Sequence, residues 1–228
     1  MTGLQSPGAD RALDLLVGEV RACRICAEHL PHGCRPVLQV HSGARILIAG
    51  QAPGRKVHER GIPFDDASGD RLRQWMGVDR DTFYDAETIA ILPMGFCYPG
   101  RGRSGDLPPR AECAAAWRDR LLAHLPRVEL TMLIGQHAQN WHLGERRKST
   151  LTETALAWRD HWPRVVPLPH PSPRNNIWLK RNAWFECDLL PRLQARVHDI
   201  VKSGQPGRGG LDAVAEGRRL PPRFTAPR

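Results

Sequence analysis

The sequence predicts an α/β fold, a parallel sheet with helices on both faces. Three observations carry this. Four short apolar runs, at 45–49, 88–93, 129–134 and 164–168, have the length and composition of buried parallel strands. Helix-forming segments separate them, which is the βαβ alternation. A chain of 228 residues also suffices to bury one sizeable α/β core.

In chain order, residues 1–8 read as frayed. Residues 9–29 read as an amphipathic helix, with Leu13, Leu16, Val17 and Val20 at helical spacing. Residues 30–44 form a loop punctuated by Pro31, Gly33, Pro36 and Gly43. The first strand, 45–49, leads into a long loop from Gly50 to Ala67, rich in glycine, proline and charge. Ser68 is placed to cap a helix that carries Leu72, Trp75 and Met76. The second strand, 88–93, is followed by a Gly/Pro-rich loop over 96–108. A helix runs from Pro109 to about His124, with proline at its start. The third strand, 129–134, ends at Gly135-Gln136. Short helices are predicted at 136–143 and 150–161. The fourth strand, 164–168, runs into a loop at His170, and a helix spans 177–200. No internal repeat is present. The seven tryptophans fall mostly at helical positions and read as packing. The folded domain is predicted over 1–200. A basic disordered tail is predicted over 201–228, where glycine, proline and arginine dominate.

The chain carries a net charge of +9, with a pI near 9.9, which suits a polyanionic partner. The tail holds six Lys/Arg against two Asp/Glu, so the body is only mildly basic. No apolar stretch is long enough to span a membrane. The N-terminus lacks the basic-then-apolar pattern of a secretion signal. Six cysteines are too sparse for a disulfide scaffold and read as cytosolic thiols or metal ligands.

The chemistry-bearing segments follow strands. Gly50-Gln51-Ala52-Pro53-Gly54 follows the first, and His170-Pro171-Ser172-Pro173 follows the fourth. A parallel sheet delivers ligand-contacting loops at such places, beyond the carboxyl ends of its strands. Together the two segments resemble the active-site motifs of the uracil-DNA glycosylase superfamily, over about residues 20–198. That resemblance implies a three-layer α/β/α sandwich around a central four-stranded parallel sheet. Gly61-Ile62-Pro63-Phe64 and Ala67-Ser68-Gly69-Asp70-Arg71-Leu72 resemble a further family segment. By that match Phe64 stacks on an extruded base. Ala52, Pro53 and Gly54 line its path, because small residues let the backbone approach a flipped nucleotide. His170 matches the histidine that donates to the base oxygen as the bond breaks. The turn Gly135-Gln136-His137-Ala138 resembles a segment that supports the sheet edge and closes the site.

Cys23 and Cys26 form a C-x2-C pair, and fifteen residues separate Cys97 from Cys113. The two pairs in this order resemble the ligands of the iron–sulfur glycosylases, families 4 and 5. Four thiolates suit a structural [4Fe–4S] cluster, and they also suit zinc. Ordinary buried thiols are the alternative. Cys34 and Cys187 have no place in the pattern and read as packing residues.

Two departures stand out. Family 4 carries Glu where this chain has Gln51, and family 1 carries Asp where it has Ala52. Neutral Gln51 can orient a water but cannot stabilise a sugar cation by charge. Asp66, just upstream of Ser68-Gly69-Asp70, matches the place where family 5 carries its carboxylate. Pro93 stands where both iron–sulfur families read uracil with Asn, and proline offers no polar side-chain group. Backbone groups, or Asn175 and Asn176, are left to read the base.

The expected function is therefore a DNA glycosylase of an atypical branch, with His170, Asp66 and Gln51 catalytic. DNA contacts are expected from Arg55, Lys56, Ser172, Arg174, Asn175 and Lys180. The segment Arg55 to Arg60 is expected to face the same mouth. The chemistry itself needs no cofactor. A monomer in the cytoplasm is expected, nucleoid-associated in a bacterium. A non-catalytic nucleic-acid binder on the same fold and a free nucleoside or nucleotide hydrolase are the alternatives.

Overall fold

Four parallel strands, β1 (Ile46–Ala49), β2 (Ile89–Ile91), β3 (Leu130–Ile134) and β4 (Val165–Leu168), form one sheet in the order β2-β1-β3-β4. The structure, a computed structural model, describes residues 7–103 and 105–204. Register pairs Ile46 with both Ile89 and Leu130, and Thr131 with Val165. Side chains alternate between faces along each strand. Ile46, Ile48, Ile89 and Ile91 therefore share one core with Leu72, Trp75, Phe185, Leu193 and Val197. Leu47 and Ala90 face the opposite core, built with Leu13, Leu16, Val20, Trp117 and Leu121. The predicted sandwich is thus observed, with burial on both sheet faces.

The helices are α1 (Pro7–Arg21), α2 (Arg55–Arg60), α3 (Ala67–Met76), α4 (Arg80–Tyr84), α5 (Ala111–Leu122), α6 (Gln136–Leu143), α7 (Leu151–Leu156), α8 (Asn176–Arg181) and α9 (Leu190–Gly204). Several differ from expectation. The first helix stops at Arg21, so Cys23 and Cys26 lie in the turns beyond it. The long loop after β1 contains α2, bounded by extended Gly54 and by Gly61 at φ 74°. A left-handed C-cap of this kind favours glycine. Asp66, not Ser68, caps α3: its Oδ1 accepts from the Gly69 amide at 3.0 Å. Helix α4 was not foreseen; Asp79 caps it and Phe83 anchors it in the core. The segment 150–161 divides into α7 and a 3-10 turn at Trp158–Asp160.

The predicted helix at 177–200 is broken. Asn182 leaves helical geometry at φ −125°, ψ 57°, and its side-chain amide donates to the Trp178 carbonyl at 2.8 Å. Asparagine side chains compete for backbone groups in this way. A π turn, Phe185–Leu189, then leads into α9. That helix continues through Gly204, past the predicted domain end at 200. The predicted disordered tail from 205 onward lies outside the described residues. Trp75, Trp117 and Trp158 are buried as expected, whereas Trp141 is exposed.

Candidate active site

The carboxyl ends of β1, β2 and β4 open onto a cavity of about 420 Å³. Its floor is the turn after β1. The Gly50 carbonyl accepts from the Met94 amide (2.9 Å) and the Gln51 carbonyl from the Gly95 amide (3.0 Å), so the exits of β1 and β2 are stitched together. Gly50 has no room for a side chain without crowding: a Cβ would stand 3.3 Å from Cζ of Phe64.

Phe64 is the strained residue of the site. It is the one non-glycine at positive φ (54°) among the described residues. Such backbone costs roughly 1–3 kcal/mol and persists where the surroundings over-determine it. Gly69 is what holds it. A Cβ there would lie 1.7 Å from the Phe64 carbonyl oxygen, so α3 packs its bare Gly69 against that peptide. The Phe64 ring meets Phe83 edge-on, with centroids 6.3 Å apart and planes at 89°.

His170 is presented by a braced loop. Its carbonyl accepts from the Asn175 side-chain amide at 2.7 Å, and the Ser172 carbonyl accepts from Arg71 at 3.0 Å. Ser172 Oγ accepts from the Arg174 amide at 3.3 Å. Burial pushes the His170 pKa down, and Asp66 and Asp106 oppose that shift. The imidazole is therefore held neutral at neutral pH, leaving one ring N–H as a donor.

The cavity gathers Gln51, Ala52, Pro53, Gly54, Phe64 and Asp66 from the β1 side. From the β4 side it gathers His170, Ser172, Arg174 and Asn175. Two motifs about 120 residues apart in sequence thus wall one space. A family model, the Uracil DNA glycosylase superfamily, matches residues 39–194, a stretch that carries both motifs. The chain belongs to the uracil-DNA glycosylase superfamily. Membership supports a DNA glycosylase-like function in general terms.

Other expected contacts of this superfamily member fall outside the cavity wall. Arg55 and Lys56 are exposed on α2, and Lys180 is exposed on α8. Of the run Arg55 to Arg60, only Val57 lines the cavity. Within that run, Val57 and His58 are buried. Asn176 is exposed and does not line the cavity; Asn175 does, and its side-chain amide donates to the His170 carbonyl. The Gly135 turn does not wall the cavity either. Its amide and the Gln139 side chain both donate to the Leu168 carbonyl, at 2.9 and 3.0 Å, and tie down the end of β4.

Sequence reasoning missed two residues here. Asp106 lines the cavity from the loop after β2. It is the sole acid in Gly100–Pro108, and that isolation was the available signal. Arg118 of α5 is almost wholly buried and donates to the carbonyls of Leu92 (3.0 Å) and Pro93 (3.3 Å). It also donates to Nε2 of His142 through its Nε at 3.1 Å. The peptide at Pro93, which walls the cavity where an asparagine was expected, is thus pinned from behind by a cation.

The cysteines form a separate group. Cys23, Cys26, Cys97 and Cys113 border one small void of about 20 Å³, and Cys34 borders it too. Cys34 therefore lies beside these four, a neighbourhood that the sequence pattern did not give it. Cys187 is exposed on the π turn, so it is not a packing residue. The Trp117 indole donates to Cys23 Sγ and the Phe96 amide to Cys113 Sγ, both at 3.3 Å. Burial pushes the Cys97 thiol up to about 12 and Cys113 to about 11. Among the described residues no three Cys, His, Asp or Glu side chains are grouped as a ready-made ion site. The donor chemistry fits a four-thiolate group: soft sulfurs, N–H donors aimed at them, and apolar walls from Val20, Leu30 and Phe96.

Proposed function

We propose that this protein removes a damaged base from DNA by hydrolysing its N-glycosidic bond. The observation that supports it most is the convergence of Phe64, Asp66 and His170 on one cavity at the carboxyl ends of β1 and β4. Phe64 offers a ring face to a flipped base. Neutral His170 donates to a base oxygen whose negative charge grows as the bond breaks, so it acts mainly on the transition state. Asp66, with a water oriented by Gln51, serves the sugar side. Pro93 presents no polar side-chain atom, so base identity is read by backbone groups of the cavity wall, not by a side chain at the end of β2.

Arg174 at the mouth, with Arg55, Lys56 and Lys180 on the surrounding surface, contacts phosphates. Ser172 and Asn175 sit beside them. Binding by these groups weakens with salt. Cys23, Cys26, Cys97 and Cys113 hold a [4Fe–4S] cluster. Its part is architectural: it joins the turn after α1 to the loop after β2 and the first turn of α5.

A panel of uracil, hypoxanthine, xanthine and mismatched bases, in single and double strands and as free nucleosides, tests this reading. Excision of at least one base from DNA is expected. In single turnover His170→Ala should slow it by about 100-fold or more, with DNA affinity nearly unchanged. Neutral Gln51 and Pro93 favour a competing reading, a DNA binder without catalysis. That reading wins if wild type excises nothing and His170→Ala binds DNA as wild type does. Cleavage of free nucleosides alone would favour a nucleoside hydrolase.

A further inference from the structure

We infer that Asp106 is a catalytic carboxylate of this cavity, accepting a proton from the water that attacks the sugar. The inference rests on the glycosylase reading above and names a residue that reading does not use.

Bond breaking leaves positive charge on the sugar, and an aimed negative group stabilises it. Among the described residues the cavity wall contains two acids, Asp66 and Asp106. Asp66 has Oδ1 committed to the Gly69 amide as the cap of α3. Asp106 carries no such duty. Its Oδ2 stands 3.6 Å from where a Cβ of Gly54 would be, against the β1 turn that also carries Gln51. The bare Cα of Gly54 leaves the space in front of it open. Its Oδ1 accepts from the Tyr98 hydroxyl at 3.4 Å. Tyr98 is itself buried, and its ring packs beside those of His32 and His58, with centroids at 5.1 and 6.0 Å. A fixed phenol thus steers one oxygen and leaves the other facing the cavity.

The step balances without a further reactant. The bond from C1′ to the base nitrogen breaks, and its electron pair leaves with the base. Water oxygen bonds to C1′ and its proton passes to Asp106. Asp106 then releases that proton to solvent, the departing base takes one up from solvent, and the products are an abasic sugar and the free base.

The test is the full chain on whichever base wild type excises, in single turnover. Asp106→Asn is expected to lower the rate by about 100-fold, with DNA affinity within about threefold. Asp106→Glu should recover part of that loss. The side chain is exposed, so thermal unfolding should be unchanged. A loss under about threefold overturns the inference, and so does a loss confined to affinity. In either case a slow His170→Ala leaves the glycosylase reading standing. If wild type excises no base, both fall together.

Discussion

Asp66 has two oxygens and two demands on them. One oxygen caps α3, while the residue also lines the cavity. Asparagine caps a helix as well as aspartate does, whereas alanine does not. Asp66→Asn is therefore expected to slow excision by about tenfold, roughly 1.4 kcal/mol of barrier, without loss of stability. Asp66→Ala should show a similar rate loss and also cost about 1 kcal/mol of stability in urea unfolding. Gln51→Ala, which removes only a water ligand, should be the mildest change, and His170→Ala the most severe. If Gln51→Ala proves the most damaging, the sugar-side group is misassigned. Phe64 shows the limit of residue-level reading. Its place in the cavity wall agrees with the resemblance of Gly61-Ile62-Pro63-Phe64 to a family segment. Its φ of 54° was not visible there, because the close packing of its carbonyl against Gly69, five residues on, is a contact across a turn.

At the scale of elements, the cysteine ring joins two connections. The turn after α1 supplies Cys23 and Cys26, and the stretch from β2 into α5 supplies Cys97 and Cys113. Protein purified without oxygen is expected to be brown, with about four iron and four sulfide per chain. Serine at Cys23 or Cys97 should lose both the colour and several degrees of melting temperature. Colourless, metal-free protein of unchanged stability would overturn the cluster; stoichiometric zinc would keep the ligands and change the metal. The resemblance of the two ordered pairs to the iron–sulfur glycosylases picked these four. It passed over Cys34, which borders the same small void. The helix predicted at 177–200 is broken. Its periodicity is sound, but Asn182 satisfies the Trp178 carbonyl with its own side chain and lets the chain turn before α9.

Across the molecule, burial depresses the pKa of His137, His142, His161 and His170. His142 is lowered to about 3, by burial and then by the Arg118 cation, to which its Nε2 is hydrogen-bonded. Such a histidine is neutral when folded and takes up a proton on unfolding below about pH 6.5. Its contribution is intact above that pH and is lost as pH falls from 6.5 towards 3. Urea midpoints should therefore drop between pH 6.5 and 4.5, before most carboxylates titrate. The loss should be on the order of a few kcal/mol, and His142→Gln should flatten it. A midpoint that rises over that interval would contradict the buried, neutral histidines. No described helix is long and apolar enough to cross a membrane.

The four strands, their parallel pairing and the two motif loops were determined by local sequence. Short apolar runs separated by helical segments have few other ways to bury themselves. Residues that act through neighbours distant in sequence were decided by the tertiary structure. Asp106 reaches the cavity because its loop folds back against Gly54, and Arg118 reaches Pro93 because α5 packs across the end of β2. Neither has a periodic or motif signal. Contacts of this kind depend on how elements dock, and docking is set by the whole core rather than by any segment of it.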